Sequence, residues 1–431
     1  MRYGPDKGRD RPIPGPRHEK SVRPQGLGYY IGTSVFTARG NSYGPMRNSH
    51  RLNLSVEGWR GLSHSYAVVN QWHLLELAKR QDVELRVKDL PFYRNDWRAQ
   101  GALFPESQDS ILRSIPRLSA DFTPDVTWRT AFPYDFSPAA SGKTVVFGTA
   151  EARRVDMQGG TTDMNAALAN PAITVSTPSH WSAEGFRRLG FDDSRIAVIA
   201  HGVAPEMFER RADVRAAFRQ KLGLSGFVFM NVVGPMSLNK GVDLLLRAFA
   251  AVAKRHKDAR LFLKGSDELY KSRDQLSRML AAFSAAKVAL ITERLVYNGQ
   301  ALSMTDMAAL YQAADTYVSP YRAEGFNLPV LEAVASGVPV ICTRGGSTDD
   351  FVAPAFARQI DSTLVTDSPS MPGVDSLEPE TDHLIALMEG ILTEESFRTQ
   401  ATAVGPAHVA AHFTWAHAVD KILARARALA T

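Results

Sequence analysis

From about residue 50 onward, short apolar runs alternate with longer stretches of helical spacing. RLNLSVE (51–57) reads as a strand, followed by a glycine-bearing turn over 58–62 with Ser63 placed to cap a helix. SYAVVNQWHLLELAKR then repeats apolar residues at helical intervals, and DVELRVKDL predicts a second strand. PDVTWRTAF, KTVVFGTA, AITVSTP and RIAVIAHGV are four more short runs enriched in β-branched residues, with a helix, WSAEGFRRLG, between the last two. Strands that alternate with helices pair in parallel and predict a doubly wound α/β sheet.

A second series begins after Phe208. FVFMNVVG, ARLFLKG, VALITERLV, TYVSP and VPVICTRG read as strands. GVDLLLRAFAAVAKRH, KSRDQLSRMLAAFSA, DMAALYQAA and LPVLEAVASG read as the helices between them. Two such series predict two Rossmann-like domains, one over 46–208 and one over 209–410. Residues 363–380, rich in Ser, Pro and Asp, read as a loop. FTWAHAVDKILARARALA, from Phe413, predicts a final amphipathic helix that closes the chain over 411–431.

Composition changes this picture little: 44% hydrophobic and 22% charged residues fit a globular chain and exclude wholesale disorder. A single cysteine, Cys342, excludes an internal disulfide framework and reads as a buried small apolar residue of a strand. No apolar run approaches the ~20 residues that cross a bilayer. Residues 1–20 lack the apolar core of a signal peptide, so a cytoplasmic protein is expected. Much of the net charge of +5 sits in the first 24 residues, where seven Lys or Arg face three acidic residues among five prolines. Residues 1–45 are accordingly expected to be a flexible basic arm, which leaves open a peripheral contact with the inner face of a membrane. Basic and aromatic residues are not interleaved as nucleic-acid binding requires.

The most informative segment is SPYRAEGFNLPVLEAVASGVPVICTRGG, residues 319–346. Glu324 and Glu332 stand eight positions apart. Leu328 precedes a proline and should avoid the helical region, while Pro329 suits a first helical position. Glu324 then falls in the loop after a strand and Glu332 in the opening turns of a helix, both at the carboxyl edge of a parallel sheet, where open α/β folds bind ligands. Free N–H groups of Gly325, Phe326, Asn327 and Leu328 would face a ligand at the helix entrance. Lys240, in VVGPMSLNKGVDLLL, occupies another strand-to-helix turn, beside Gly234, and suits a diphosphate.

These segments, taken in order with the Tyr297–Gly299 stretch and LYQAADTYVSP, resemble retaining glycosyltransferase family 4, enzymes of GT-B architecture carrying a Glu-x7-Glu signature. The likeness covers most of 226–352 and weakens before it. It implies two Rossmann-like domains facing across a cleft, with the first on the acceptor side, the second binding the nucleotide sugar, and the last helix crossing back to the first. It implies a nucleoside-diphosphate sugar as donor and a hydroxyl acceptor such as a glycan, a lipid-linked sugar or a small molecule. Cofactor and metal are expected to be absent. Glu324 would contact the donor sugar and Glu332 the ribose hydroxyls. The family's usual arginine is missing, since Gly234 and Pro235 stand where it is expected; Lys264 or Arg322 would have to replace it.

The first domain is less readable. GWRGLSH, with Gly61, Ser63 and His64, resembles an acceptor-side glycine loop. Arg129 and Glu151 are further cleft candidates, and His201 matches a structural turn before the linker. The histidine many relatives carry near the donor sugar is absent from WRTAFP. A sugar-nucleotide epimerase, a phosphorylase and a nicotinamide enzyme fit the motifs less well, the last for want of a G-x-G-x-x-G turn. A non-catalytic carbohydrate-binding or scaffold protein of the same fold is the alternative. Donor sugar, base, acceptor and oligomeric state are not encoded in any motif.

Overall fold

The computed structural model describes residues 51–160, 162–369 and 371–431; the basic arm expected over 1–45 lies outside them. Two separate six-stranded sheets are present, each entirely parallel. The first contains β1 (Leu52–Gly58), β2 (Val83–Asp89), β3 (Val126–Thr130), β4 (Thr144–Phe147), β5 (Ile173–Thr177) and β6 (Ile196–Val198), in the order β2-β1-β3-β4-β5-β6. The second contains β7 (Phe227–Val232), β8 (Ala259–Lys264), β9 (Leu295–Asn298), β10 (Thr316–Ser319), β11 (Val340–Thr343) and β12 (Ala357–Ile360), in the order β12-β11-β10-β7-β8-β9. Helices cover both faces, which is why strands such as VVF and VIC are apolar throughout and almost wholly buried.

In both sheets the strand order reverses direction, between β1 and β3 in the first and between β7 and β10 in the second. At such a reversal the connections after the two central strands diverge to opposite faces and leave a crevice at the carboxyl ends. In the second sheet that crevice is framed by the turn after β7, which carries Lys240, and the loop after β10, which carries Glu324. The two connections touch. Gly241 adopts φ +68° at the entrance of the helix Val242–Arg255, and a Cβ there would lie 1.8 Å from the Pro320 carbonyl oxygen. The turn can approach this closely only without a side chain.

Two helices of the first lobe matter for the site: α1 (Ser65–Leu77) and α2 (His180–Leu189). Those of the second lobe are α3 (Val242–Arg255) and α4 (Leu328–Ala335). The last helix, α5 (Trp415–Ala430), opens with a capping box between Thr414 and His417 two residues beyond the expected Phe413. It packs on α1 and β3 of the first lobe: Trp415 stacks on Trp72 at 6.0 Å and 8°, and Val419, Ile422 and Leu423 join Leu54, Leu75 and Trp128 in one core.

Three expectations are corrected. VALITERLV is not one strand: its first half completes the helix Ala285–Thr292 and only its end begins β9. The preceding alanines extend a helix into a run whose apolar residues alone do not distinguish the two states. Residues 363–380 form an antiparallel hairpin, β13 (Ser362–Ser368) with β14 (Met371–Pro379), in which the β-forming run Thr363-Leu364-Val365-Thr366 pairs with Asp375–Glu378 across the strands. Helix α1 is capped by His64, whose Nδ1 accepts the Tyr66 N–H at 3.1 Å, rather than by Ser63.

Candidate functional site

A cavity of about 1340 Å³ lies between the carboxyl edges of the two sheets. Its second-lobe wall comes from the two switch-point connections. On one side stand Gly234, Pro235, Ser237, Asn239 and Lys240; on the other stand Glu324, Gly325, Phe326, Asn327, Leu328 and Pro329. The loop of Glu324 is held by backbone bonds from Arg322 N–H (2.7 Å) and Ala323 N–H (3.1 Å) to the Asn239 carbonyl. Asn327 ends it in the left-handed region at φ +69°, its amide donating to Ser319 Oγ, so α4 starts at Leu328, one residue before Pro329. The left-handed residue is Asn327, and asparagine tolerates that conformation better than most side chains.

At the centre, Lys240 Nζ lies 3.0 Å from Glu324 Oε2 and 3.1 Å from both carboxylate oxygens of Glu151. Glu151 comes from the other lobe, in the loop after β4. Its carboxylate also accepts the Asn239 amide at 2.7 Å. Burial lowers the Lys240 ammonium's proton affinity, but the two carboxylates outweigh it and raise its pKa above the ordinary value, so the side chain stays charged. Burial pushes Glu324 up to about 7, aided by the Glu151 charge and opposed by Lys240. Among the described residues no side chain caps the N-terminus of α3, which begins at Val242 with Gly241 between it and Lys240, so its first N–H groups add a positive pole near the ammonium.

The first lobe supplies the opposite wall. His64 lies in it, its imidazole held neutral by burial, which brings its pKa down to about 4. Around it stand Trp59, Trp97 and Tyr66, and the Tyr270 ring of the second lobe comes within 6.3 Å of His64 and 6.2 Å of Trp97. Tyr270 also explains Gly234, where a Cβ would lie 2.7 Å from the tyrosine ring. The hairpin closes one side: Asp375 on β14 pairs with Arg188 of α2 at 2.9 Å and lies 3.7 Å from Arg153.

Of the residues singled out from the sequence, Lys240, Gly234, Glu324, Gly325, Phe326, Asn327, Leu328, Ser63, His64 and Glu151 line this cavity, and five do not. Arg322 is buried in a bidentate pair with Asp243 on α3 (2.8 and 3.0 Å) and a further pair with Glu378 on the hairpin (3.1 Å). Lys264 is buried, with its ammonium donating to the Gly265 carbonyl, and desolvation lowers its pKa to about 8. Neither side chain reaches the cavity. Arg129 is buried among Glu57 (2.8 Å), Asp135 (3.0 Å) and two carbonyls, an internal brace of the first sheet. Gly61 lines a separate cavity of about 500 Å³. Glu332 lies behind the cavity wall, where its carboxylate accepts the Tyr311 hydroxyl at 2.6 Å and burial pushes its pKa up to about 7.

Sequence reasoning missed several wall residues. His201 lines the cavity rather than forming a mere turn; it is buried against Phe326 (4.9 Å) and Phe147 (5.5 Å), and desolvation drives its pKa well below the ordinary range. Asn239 stood beside Lys240 in NKG and had a readable signal. Tyr270, Arg153, Arg188 and Asp375 had none, because only the folded chain brings them to the cleft.

Two parallel Rossmann-type sheets facing across a cleft, with switch-point loops lining it, define the GT-B fold. Solved structures that share it include HepE of Anabaena in complex with UDP-glucose (TM-score 0.62, 15% identity, 88% of this chain and 100% of that one), sucrose-phosphate synthase of Thermosynechococcus elongatus (0.62, 16%, 88% and 99%) and a glycosyltransferase of Rickettsia africae (0.64, 12%, 88% and 98%). Residues 229–369, from β7 into the hairpin, match the family of glycosyl transferases group 1. Among curated relatives, mannosylfructose-phosphate synthase of Agrobacterium fabrum is 28% identical over 36% of this chain and 32% of its own length. D-inositol 3-phosphate glycosyltransferase of Segniliparus rotundus is 30% identical over 55% and 48%. The chain thus spans a third to a half of the length of the curated relatives it matches.

Proposed function

We propose that this protein is a retaining glycosyltransferase that moves a sugar from a nucleoside-diphosphate sugar to a hydroxyl acceptor without a metal ion. The observation that carries the reading is the pairing of Lys240 with Glu324 at 3.0 Å in the switch-point crevice of the lobe that matches glycosyl transferases group 1. Relatives named as glycosyltransferases and a fold neighbour holding UDP-glucose support it.

Glycosyl transfer develops positive charge on the sugar and negative charge on the departing diphosphate. Lys240 and the N-terminal pole of α3 would receive the diphosphate, and their stabilisation grows as the bond breaks. Glu324, beside the Gly325–Leu328 loop, would accept hydrogen bonds from sugar hydroxyls. Lys240 would supply neutralising charge at the centre of the crevice. Glu332 would take the ribose, which requires its carboxylate to exchange Tyr311 for a ligand. A glycan, a lipid-linked sugar or a small molecule would enter from the His64 side. A peripheral membrane contact belongs to the same reading; among the described residues no helix is long and apolar enough to cross a membrane.

The test is incubation of the full chain with a panel of UDP-, GDP- and ADP-sugars and hydroxyl acceptors, with proton NMR following the anomeric signal. Release of nucleoside diphosphate with a product of the donor's anomeric configuration is expected. An inverted product, or no turnover with any donor alongside no nucleotide binding, would overturn the proposal.

A further inference from the structure

Among the described residues, Glu151 is the first-lobe side chain that pairs with the Lys240 ammonium. Both of its oxygens lie 3.1 Å from Nζ, and one also takes the Asn239 amide at 2.7 Å. Two oxygens shared by an ammonium and a neighbouring amide are the contacts an oxyanion of a diphosphate would make at the same turn. A donor bringing its own negative charges therefore finds Lys240 already neutralised by Glu151 and Glu324. One carboxylate must give way, because like charges held around a single cation repel.

The two differ in how firmly they are held. Glu324 has a side chain only 15% exposed, on a loop pinned to Asn239 by two backbone bonds, and the Gly325 carbonyl next to it accepts Ser179 Oγ at 2.6 Å. The side chain of Glu151 is 42% exposed. Its backbone is fixed, since the Glu151 carbonyl accepts Trp181 Nε1 at 2.6 Å and the Ala150 N–H donates to Ser182 Oγ at 2.7 Å. The carboxylate can therefore rotate into solvent while the loop stays in place.

Resting on the glycosyl-transfer reading, we propose that Glu151 is a tethered stand-in for the donor diphosphate. In the free enzyme it holds Lys240 and Asn239 in their binding positions and bridges the two lobes. The incoming diphosphate displaces it, which releases that bridge. Glu151 is thus a positioning residue that trades donor affinity for a preset phosphate turn.

Calorimetric titration with UDP, GDP and ADP tests this on wild type, Glu151→Gln, Glu151→Ala, Lys240→Ala and the Glu151→Gln/Lys240→Ala double variant. Removing the competing charge should tighten the preferred nucleoside diphosphate about three- to tenfold in both Glu151 variants, the scale of a partly exposed charge pair. The gain should vanish in the Lys240→Ala background, because the competition acts through the ammonium. In ligand-free Glu151→Ala, amides of 237–241 should exchange several-fold faster, as the turn loses its brace. Equal or weaker nucleotide binding in both Glu151 variants overturns the stand-in role while leaving transfer intact. Failure of all three nucleotides to bind wild type and both variants overturns transfer and stand-in together.

Discussion

The two lobes share a sheet type and present the same edge to one cavity, yet they build their walls in opposite ways. The second lobe draws most of its wall from two connections that leave adjacent central strands, the stretches 232–240 and 324–329, and adds Tyr270 and the hairpin at the edge. The first lobe contributes the runs 63–66 and 151–158, and gathers Trp59, Trp97, Arg188 and His201 from separate places along its sequence. A wall of local loops leaves a motif in the sequence, whereas a wall of scattered side chains leaves none. A feature common to many relatives fits the first kind of wall, and what differs between them fits the second.

The sharpest way to break the comparison is Arg129, a sequence-level site candidate of the first lobe that the fold buries. Arg129→Ala leaves Glu57 without its buried partner and should cost about 3–5 kcal/mol of stability, read as a lowered urea midpoint. Nucleoside diphosphate affinity of the folded fraction should not change; a selective loss of affinity would make it a site residue after all. Next is Glu324→Ala, expected to lower turnover by about 100-fold or more while nucleoside diphosphate affinity stays within about threefold. Wild-type turnover would place the chemistry elsewhere.

Lys240→Ala should weaken the nucleoside diphosphate by about tenfold and lower turnover with it, since a charged contact to phosphate is lost in both states. Unchanged affinity by calorimetry would remove the phosphate role. The smallest effect concerns pH. Glu332 keeps its proton up to about 7 in the folded chain, whereas an unfolded glutamate releases it near 4.5. Between those values the folded state binds more protons, so Glu332 makes stability fall as pH rises through that window. A shift of that size corresponds to about 3 kcal/mol, which the partial exposure of the carboxylate reduces to about 1–2 kcal/mol. A Glu332→Gln variant should show a correspondingly flatter dependence of melting temperature on pH; an identical slope would mean the carboxylate is already ionised at the low end.

Legibility followed chain locality. Both α/β series could be read because buried parallel strands are short apolar runs that alternate with helices, and each run was compact enough to see. The hairpin could not, since its pairing is tertiary and its Ser, Pro and Asp content is that of a loop. Lys240 and Glu324 were readable because turn chemistry, helix entry and motif order agreed at one place. Arg322 misled for a related reason: it lies inside the motif, but Asp243 one turn away in space had already taken its guanidinium. Tyr270 and His201 owe their place to the meeting of the lobes, which no local pattern records.

One feature of the chain's closure has a mechanical meaning. The polypeptide passes between the lobes after β6 and again just before α5, and the two passages run side by side. Val203 N–H donates to the Phe413 carbonyl at 2.9 Å, a parallel bridge joins Val203 to Thr414, and Gly202 lies so close to Thr414 that a Cβ would fall 2.2 Å from its carbonyl carbon. A single strand between two bodies is a swivel, free to twist. Two crossings bonded to each other at Val203 act more like the leaf of a door hinge: the pair resists the torsion that one strand would allow.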